Sequence, residues 1–363
     1  MLVTKTLLAM RTLAAVAVIA VFAVTAAGAA AEPAPIGLAG LPRTGNTEEE
    51  QVAKDLGLNF IIESTAWDEP KEGDYAWTSS TDDAFGERLK KLKTQGYTIC
   101  VTLQVIDDEK KRMPFYLEGR PFDDPRVLTR WTAFLKEFAT RYGDSIDYLN
   151  LGQKVNGYFA KHAEEWPAFV KFVAAGAFVV HKEKPKVGIG VVLKDTDEPA
   201  KYWRDLAPAC SHLALTYTVP CSVLTRQPTA QALDPRQTVF FAKTLDTLMR
   251  QSGGRKLLLT ELGCATHASL DSSPETQAQF LTTFFAWLRQ AESRVAAVSY
   301  ICDKDLPYEA TQAALKQMFG DEIMKYRGFI RLITSLGLRY EDGKKKPGYE
   351  AFKKAIEQYR GKR

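Results

Sequence analysis

Short apolar runs alternate with longer amphipathic segments along almost the whole chain, and this alternation strongly limits how the chain can fold. Runs of four to nine residues bounded by polar residues and glycine are typical of buried strands. Strands are predicted at Ile36–Leu41, Leu58–Glu63, Tyr97–Val105, Ile146–Leu151, Val187–Leu193, Leu213–Val219, Leu257–Thr260 and Val295–Ile301. Strands of this composition are covered on both faces, which favours a parallel sheet.

The segments between these runs have helical periodicity. In Val127–Tyr142, for example, Trp131 and Leu135 lie on one predicted apolar face. Helices are predicted at Glu48–Leu56, Asp82–Thr94, Val127–Tyr142, Glu164–Lys182, Pro235–Gln251, Pro274–Gln290 and Tyr349–Tyr359, with a weak helix at Ala200–Leu206. Repeated βα units without a glycine-rich dinucleotide-binding loop favour a closed barrel over a doubly wound sheet. We therefore predict an α/β fold, a single (β/α)8 (TIM) barrel over residues 32–363.

The first 31 residues are predicted to be a secretory signal peptide of bacterial type. Lys5 and Arg11 precede an apolar run over 12–25, and the alanines at 29–31 offer a small-residue cleavage site. The alternative is a retained membrane anchor, for which the apolar run is short. We expect cleavage near Ala31, no stable membrane insertion afterwards, and a secreted or periplasmic product.

Composition argues against several kinds of partner. A net charge of +4 without a basic stripe gives no reason to expect nucleic acid. The four histidines have no metal-ligand spacing, so neither a metal nor another cofactor is predicted.

The five cysteines leave at least one without an intramolecular partner. Cys264 and Cys302 each follow a predicted strand and could be close, whereas Cys210 and Cys221 flank one strand and should not pair. Most of these thiols are expected to be small buried hydrophobes.

The carboxyl ends of the predicted strands carry the candidate site, because a (β/α)8 barrel keeps its chemistry there. Aromatic rings beside amides and acids suit a sugar, which has apolar faces and polar edges. Polar residues also collect at strand ends simply because these ends meet solvent. The residues found there are Glu63, Trp67, Gln104, Asp107, Asp108, Gln153, Lys154, Asn156, Tyr217, Glu261, Tyr300, Asp303 and Asp305. We predict a carbohydrate partner, either a glycan or a glycoside.

Several segments, in order, resemble those of clan A glycoside hydrolases, which are retaining (β/α)8 enzymes. The resemblance covers nearly the whole chain after the signal peptide. The matching segments are Trp67-Asp-Glu69-Pro70 with Gly73, Tyr75 and Trp77; Ile99–Asp107; Thr260-Glu261-Leu-Gly263; and the closing Gly337-Leu338, Asp342-Gly343 and Lys346-Pro347-Gly-Tyr349. The resemblance implies that Glu261, at the end of the seventh strand, is the nucleophile.

The fourth strand departs from the clan's pattern. Relatives have Gly-Asn-Glu there, in which the glutamate is the acid/base and the asparagine holds the sugar 2-hydroxyl. This chain has Gly152-Gln153-Lys154 instead, and the clan's arginine near the second strand has no evident counterpart. A lysine with a reference pKa of about 10.4 mismatches the acid/base task. We expect Lys154 to pair with Glu261 and ordinary glycosides to be hydrolysed badly.

Three functions follow from these residues. The first is a secreted glycoside-hydrolase-like barrel that acts on or binds a carbohydrate with impaired catalysis. The second is an active retaining glycosidase whose acid/base has moved, and the third is a non-enzymatic scaffold. Sugar contacts are predicted at Gln153, Asn156, Trp67, Glu63, Gln104, Asp107, Tyr217, Tyr300 and Asp303. The candidates for a relocated acid are Glu63, Asp107, Asp108, Asp303 and Asp305.

Overall fold

The computed structural model describes residues 32–43, 45–75, 83–194, 198–219 and 238–361. The predicted signal peptide, Trp77 of the closing part of the second-strand motif, and Cys221 lie outside these ranges. Within them, no helix combines the length and the apolar composition needed to cross a bilayer. Residues Ala34–Arg363 form one compact unit.

The strands form one ten-stranded sheet that curls into a nearly closed barrel. They are β1 (Ile36–Leu38), β2 (Phe60–Thr65), β3 (Thr98–Asp107), β4 (Lys110–Lys111), β5 (Tyr148–Gln153), β6 (Gly188–Gly190), β7 (Val192–Lys194), β8 (His212–Val219), β9 (Lys256–Cys264) and β10 (Val295–Tyr300). All neighbours pair in parallel except β4, which folds back on β3. The predicted (β/α)8 barrel is confirmed.

The predicted fifth strand is split into two short strands at Val191. β6 pairs with β5, whereas β7 pairs with β8 on the other side. The one run over 188–194 therefore bridges the two ends of the sheet and gives the barrel its nearly closed form.

Helices surround the sheet in alternation with the strands. They are α1 (Thr47–Asp55), α2 (Ala84–Thr94), α3 (Pro125–Tyr142), α4 (Asn156–Phe159), α5 (Trp166–Glu183), α6 (Pro199–Leu206), α7 (Thr238–Gln251), α8 (Pro274–Ala291), α9 (Tyr308–Phe319), α10 (Arg327–Ile333) and α11 (Pro347–Arg360). The predicted helices are present, including the weak one at α6. The structure adds α4 and also α9 and α10, which follow the last barrel strand.

The apolar faces of α3 and α5 pack closely against each other outside β3 and β5. Trp131 stacks on Phe172 with ring centroids 4.4 Å apart, and its Nε1 donates to the Phe172 carbonyl at 3.1 Å. Gly176 permits this approach, because a Cβ there would lie 2.6 Å from Trp131 Nε1. These two helices therefore support the strands that carry Gln104 and Gln153.

A polar network crosses the barrel interior. His212 on β8 shares a 2.9 Å hydrogen bond with Asn150 Oδ1 on β5, and the Asn150 amide donates to Thr102 Oγ1 at 3.3 Å. The histidine is buried, and burial lowers its pKa to about 3. Gly190 leaves room for the ring, since a Cβ there would meet His212 Nε2 at 2.3 Å. The network links β3, β5 and β8.

The described cysteines form no disulfide. Cys100, Cys210 and Cys264 are buried, and Cys302 is half-buried. Burial raises the pKa of the Cys264 and Cys302 thiols to about 12. The prediction of small buried hydrophobes therefore holds for the first three.

Candidate active site

Glu261 lies on β9, which continues beyond the predicted strand to Cys264. Leu215 of β8 is opposite Leu259, but the next residue of β8, Thr216, is opposite Glu261. Thr260 is therefore an extra residue on β9, and its Oγ1 donates to the Leu215 carbonyl at 3.3 Å. An extra residue of this kind bends a strand and re-aims its side chains. It sets the direction of Glu261, whose side chain stays 18% exposed.

Both carboxylate oxygens of Glu261 are occupied from the end of β5. Lys154 Nζ lies 2.8 Å from Oε2, and Gln153 Nε2 donates to Oε1 at 3.0 Å. The expected ion pair is thus present. Burial opposes the positive charge of Lys154, but Glu261 and two further carboxylates outweigh that cost and raise the lysine's pKa. Lys154 is therefore an ammonium ion throughout the neutral pH range.

The backbone at the end of β5 takes unusual conformations to place these two side chains. Gly152 has φ +118° and Lys154 has φ +53°. A left-handed conformation costs a lysine energy that glycine does not pay, and surrounding contacts must hold it in place. One such contact is the hydrogen bond of 3.1 Å from the Val155 amide to the Val192 carbonyl. The short helix α4 begins directly afterwards.

Asp107 and Asp108, at the end of β3, supply the two further carboxylates near Lys154. Asp107 forms a 2.7 Å ion pair with Arg112, and Asp108 pairs with Lys194 at the end of β7. Two lysines, Lys154 and Lys194, therefore lie among the carboxylates of Glu261, Asp107 and Asp108. Sequence reasoning missed Lys194, although its position at a strand end was a usable signal.

Asn156 fixes the local backbone instead of facing a ligand freely. Its Nδ2 donates to the Lys194 carbonyl at 2.9 Å, and its Oδ1 accepts from the Lys194 amide at 2.7 Å. The two bonds join the start of α4 to the end of β7. Because both polar atoms of the amide are used in this way, Asn156 is poorly suited to the predicted sugar contact.

Glu63 is likewise held by a cation. Its Oε1 accepts from Arg88 Nε at 2.8 Å, and the same arginine donates to the Pro42 carbonyl at 3.1 Å. The arginine comes from α2, so it was not visible as a neighbour in the sequence. Gln104, two residues beyond Thr102 on β3, is half-buried.

Asp303 and Asp305, which follow β10, are also paired. Asp303 binds Arg339 in a two-pronged ion pair, and Asp305 lies 2.7 Å from Lys346 Nζ. Burial raises the pKa of Asp305 despite this lysine. Every candidate for a relocated acid is therefore in an ion pair with a lysine or an arginine, so none of them is a free carboxyl group.

The predicted aromatic sugar contacts are buried in the core, and this corrects the sequence interpretation. Trp67 is 3% exposed, and its ring centroid lies 5.1 Å from that of Trp131, outside the barrel and beneath α3. Tyr300 is buried, and its hydroxyl donates to the Leu336 carbonyl at 2.9 Å. Tyr217 is buried as well. These rings turn towards the helix layer, so they present no face to a ligand at the barrel mouth.

The Trp-Asp-Glu-Pro motif has a structural role that its sequence alone did not reveal. Glu69 is buried, and it accepts hydrogen bonds from Trp67 Nε1 at 3.1 Å, the Gly73 amide at 2.6 Å and Arg130 Nε at 3.0 Å. One carboxylate thus fixes the loop after β2 onto α3. The motif therefore preserves the shape of the loop.

The described residues contain one cluster of possible metal ligands, His162, Glu164 and Glu165. Glu165 is already bound by Lys111 Nζ at 2.8 Å and by the Tyr158 hydroxyl at 2.7 Å. An ammonium ion in this position competes with a cation, so we assign no metal to the cluster.

Comparisons with known proteins agree on the fold. No protein-family model and no curated protein sequence matches the chain. The solved structure of exo-β-1,4-mannosidase Op5Man5 from Opitutaceae bacterium strain TAV5 superimposes with a TM-score of 0.65 at 16% identity, over 91% of this chain and 60% of that one. The structure of a GH5_18 protein from Streptomyces cattleya in complex with GlcNAc gives a TM-score of 0.64 at 18% identity, over 92% of this chain and 82% of that one.

A GH5_18 variant from Bifidobacterium longum, in complex with Manβ1-4GlcNAc, gives a TM-score of 0.62 at 15% identity, over 91% of this chain and 79% of that one. At such low identity the likeness establishes the fold alone. The chain therefore has the (β/α)8 fold of clan A glycoside hydrolases, and it spans only part of the length of the mannosidase.

Proposed function

We propose that the protein is a glycoside-hydrolase-like barrel that binds a carbohydrate around Glu261 and hydrolyses ordinary glycosides poorly or not at all. The observation that carries this proposal is the double occupation of the Glu261 carboxylate by Lys154 and Gln153. A nucleophile in this state must break an ion pair before it can attack a sugar.

The chemistry of retaining hydrolysis supports impairment. Such enzymes use two carboxyl groups about 5–5.5 Å apart, one as nucleophile and one as acid and then base. The resemblance to the clan's Gly-Asn-Glu segment implies that Lys154 stands in the place of the second group, and the pKa of this lysine is raised. Its ammonium form cannot accept a proton from the attacking water. General acid–base catalysis is worth about 10²–10⁴-fold, so its loss strongly slows turnover.

The carbohydrate part of the proposal rests on analogy with the structural neighbours. Their crystal structures hold GlcNAc and Manβ1-4GlcNAc, and one neighbour is an exo-β-1,4-mannosidase. Fold-level analogy selects which sugars to test first but does not fix the ligand. We therefore place β-mannosides and β-N-acetylglucosaminides first in the panel below.

Dinitrophenyl β-glycosides test the proposal directly, because dinitrophenolate leaves without a proton donor. We expect slow release by the wild-type protein and faster release by Lys154→Met, which frees Glu261 without changing the length of residue 154 greatly. Glu261→Gln, alone and combined with Lys154→Met, is the control and should abolish release. Fast hydrolysis of unactivated glycosides by the wild type would contradict impairment.

A second pair of measurements separates binding from catalysis. We expect calorimetric titration to detect binding of at least one sugar of the panel to the wild-type protein. We expect the double variant Gln153→Asn with Lys154→Glu to gain hydrolysis of glycosides of the same sugar. If neither the wild type nor the double variant acts on or binds any sugar, the carbohydrate proposal is wrong and the scaffold alternative gains.

We also propose that the protein is exported and cleaved near Ala31, as its amino-terminal sequence indicates. Expression of the full chain in a bacterial host, followed by mass measurement of the periplasmic and secreted fractions, tests this. The expected mature protein begins at Glu32. An uncleaved chain in the membrane fraction would favour the retained anchor instead.

A further inference from the structure

A groove lies between the chain segments that follow the last two strands of the barrel. It has a volume of about 960 Å³, and none of Gln153, Lys154 and Glu261 lines it. Its walls come from the segments that follow β9 and β10, from the end of α10, and from the turn before α11. Ligand sites commonly have volumes of about 300–1,000 Å³, so the groove is large enough for a disaccharide.

The floor of the groove is held together by an ion pair and hydrogen bonds. The Lys346 side chain is fully buried, and its Nζ lies 2.7 Å from Asp305 Oδ1 and 2.9 Å from Thr266 Oγ1. The Asp305 carboxylate also accepts from the Gly337 amide at 2.9 Å. These bonds join three chain segments beneath the groove. The lysine and the aspartate neutralise each other, so neither charge is available to a ligand.

Arg331, on one wall, is a half-buried cation without an acidic partner among the described residues. Across the described part of the chain, no carboxylate lies within ion-pair distance of its guanidinium, and its side chain makes no hydrogen bond there. Arg130, which is also half-buried, is paired with the carboxylate of Glu69, and the buried Arg339 is paired with that of Asp303. A partly desolvated charge gains energy when an anion joins it, so the groove is prepared for a negative group.

His267 provides a second donor beside Arg331. Its Nδ1 accepts a hydrogen bond of 3.1 Å from the Ser269 amide, which places the ring proton on Nε2 in the neutral form. Burial and the charge of Arg331 lower its pKa, so the ring stays neutral at pH 7. A neutral donor beside a cation suits the two oxygens of one anionic group.

The rim adds aromatic and apolar surface. Tyr308 and Tyr340 line the groove, and Leu306 is 45% exposed. Flat apolar faces of this kind pack against sugar rings. Of the acidic residues on the rim, Asp342 is paired with Lys344 at 2.8 Å, and Glu341 is exposed to water, which solvates its charge.

We propose that this groove binds a sugar that carries an anionic group, a carboxylate or a sulfate, with Arg331 and His267 as its donors. The site is independent of catalysis at Glu261, and it would hold even if the proposed function at the barrel mouth were wrong.

Calorimetric titration of the full chain tests the proposal with three probes: a hexuronate disaccharide, a sulfated disaccharide and neutral cellobiose. We expect at least one acidic probe to bind more tightly than cellobiose, and the binding to weaken with added salt. The two acidic probes distinguish the carboxylate from the sulfate. Arg331→Gln should weaken binding about tenfold or more, while Arg327→Gln, an exposed arginine one turn earlier on α10, should leave it unchanged.

The variants also separate this groove from the barrel mouth. Glu261→Gln should keep its affinity for the acidic probe, whatever happens to dinitrophenol release. If Arg331→Gln fails to fold, Arg331→Lys and His267→Asn replace it, and each should weaken binding. Failure of both acidic probes to bind at 10 mM (roughly the weakest affinity of interest), or binding that survives these substitutions, would overturn the proposal.

Discussion

Lowering the pH from 7 to 5 should destabilise the barrel through one buried histidine. His212 lies inside the sheet, bonded to Asn150, and burial holds its pKa at about 3. In the unfolded chain the same group has a pKa of about 6.5. Between these two values the unfolded state binds the proton and the folded state does not, so stability falls as the pH is lowered.

The size of the effect follows from the two pKa values. One pKa unit corresponds to about 1.36 kcal/mol. Integration of the proton linkage from pH 7 to pH 5 shows that His212 alone lowers the free energy of unfolding by about 2 kcal/mol. A loss of this size is a large share of the stability of a typical domain, which is about 5–15 kcal/mol.

Urea unfolding at pH 7 and pH 5 measures the effect. His212→Gln keeps a polar side chain that can bond Asn150 but cannot titrate, and His181→Gln changes an exposed histidine as the matched control. The wild type and His181→Gln should both lose about 2 kcal/mol more than His212→Gln between the two pH values. Equal losses in all three proteins would refute the claim that His212 stays neutral in the folded barrel.

Three substitutions test the contacts that shape the fold around the site. Glu69→Gln should cost about 3 kcal/mol in a urea titration, because it leaves a shielded arginine unpaired, whereas Glu72→Gln at an exposed ion pair should cost under about 1 kcal/mol. Gly176→Ala should cost about 1–3 kcal/mol by the same assay, because its methyl group would collide with Trp131. Lys346→Met should lower the free energy of unfolding by about 3 kcal/mol, because it leaves the partly buried carboxylate of Asp305 without its cation, and an unchanged midpoint would show that water replaces the ammonium.

The strands and most helices were predictable because their signals are local. A short apolar run or a helical stripe indicates burial from its own residues, whichever elements lie next to it. The extension of β9 past Glu261 was not predictable in this way, because the extra residue at Thr260 is defined by pairing with β8. α9 was missed because its exposed face dilutes the apolar pattern, and α10 because its 7 residues are too few to show a helical stripe.

The site was predictable only in part, and for a physical reason. The carboxyl ends of parallel strands meet at one end of a barrel, so opposite charges such as Lys154 and Glu261 find each other. A side chain just after a strand, however, can turn either to the mouth or to the helix layer. Trp67 and Tyr300 turn to the helices, where burial of a large ring stabilises the fold more than exposure would.

Glu261 is present either as a strained functional group or as the structural partner of Lys154. The effect of its loss on the stability of the protein distinguishes these two explanations. In a pair of carboxylates, loss of one acid relieves repulsion and stabilises the protein. Here the partner is Lys154, whose side chain is 27% exposed, so Glu261→Gln leaves a shielded ammonium unpaired.

We therefore expect Glu261→Gln to destabilise the protein by about 2 kcal/mol, between the cost of an exposed and a buried pair. Lys154→Met in the same chain should recover most of that loss, because it removes the stranded charge. Urea unfolding of the two single variants and the double variant gives the coupling energy of the pair. If Glu261→Gln instead stabilises the protein, Glu261 is a strained functional group and its ion pair is not a structural contact.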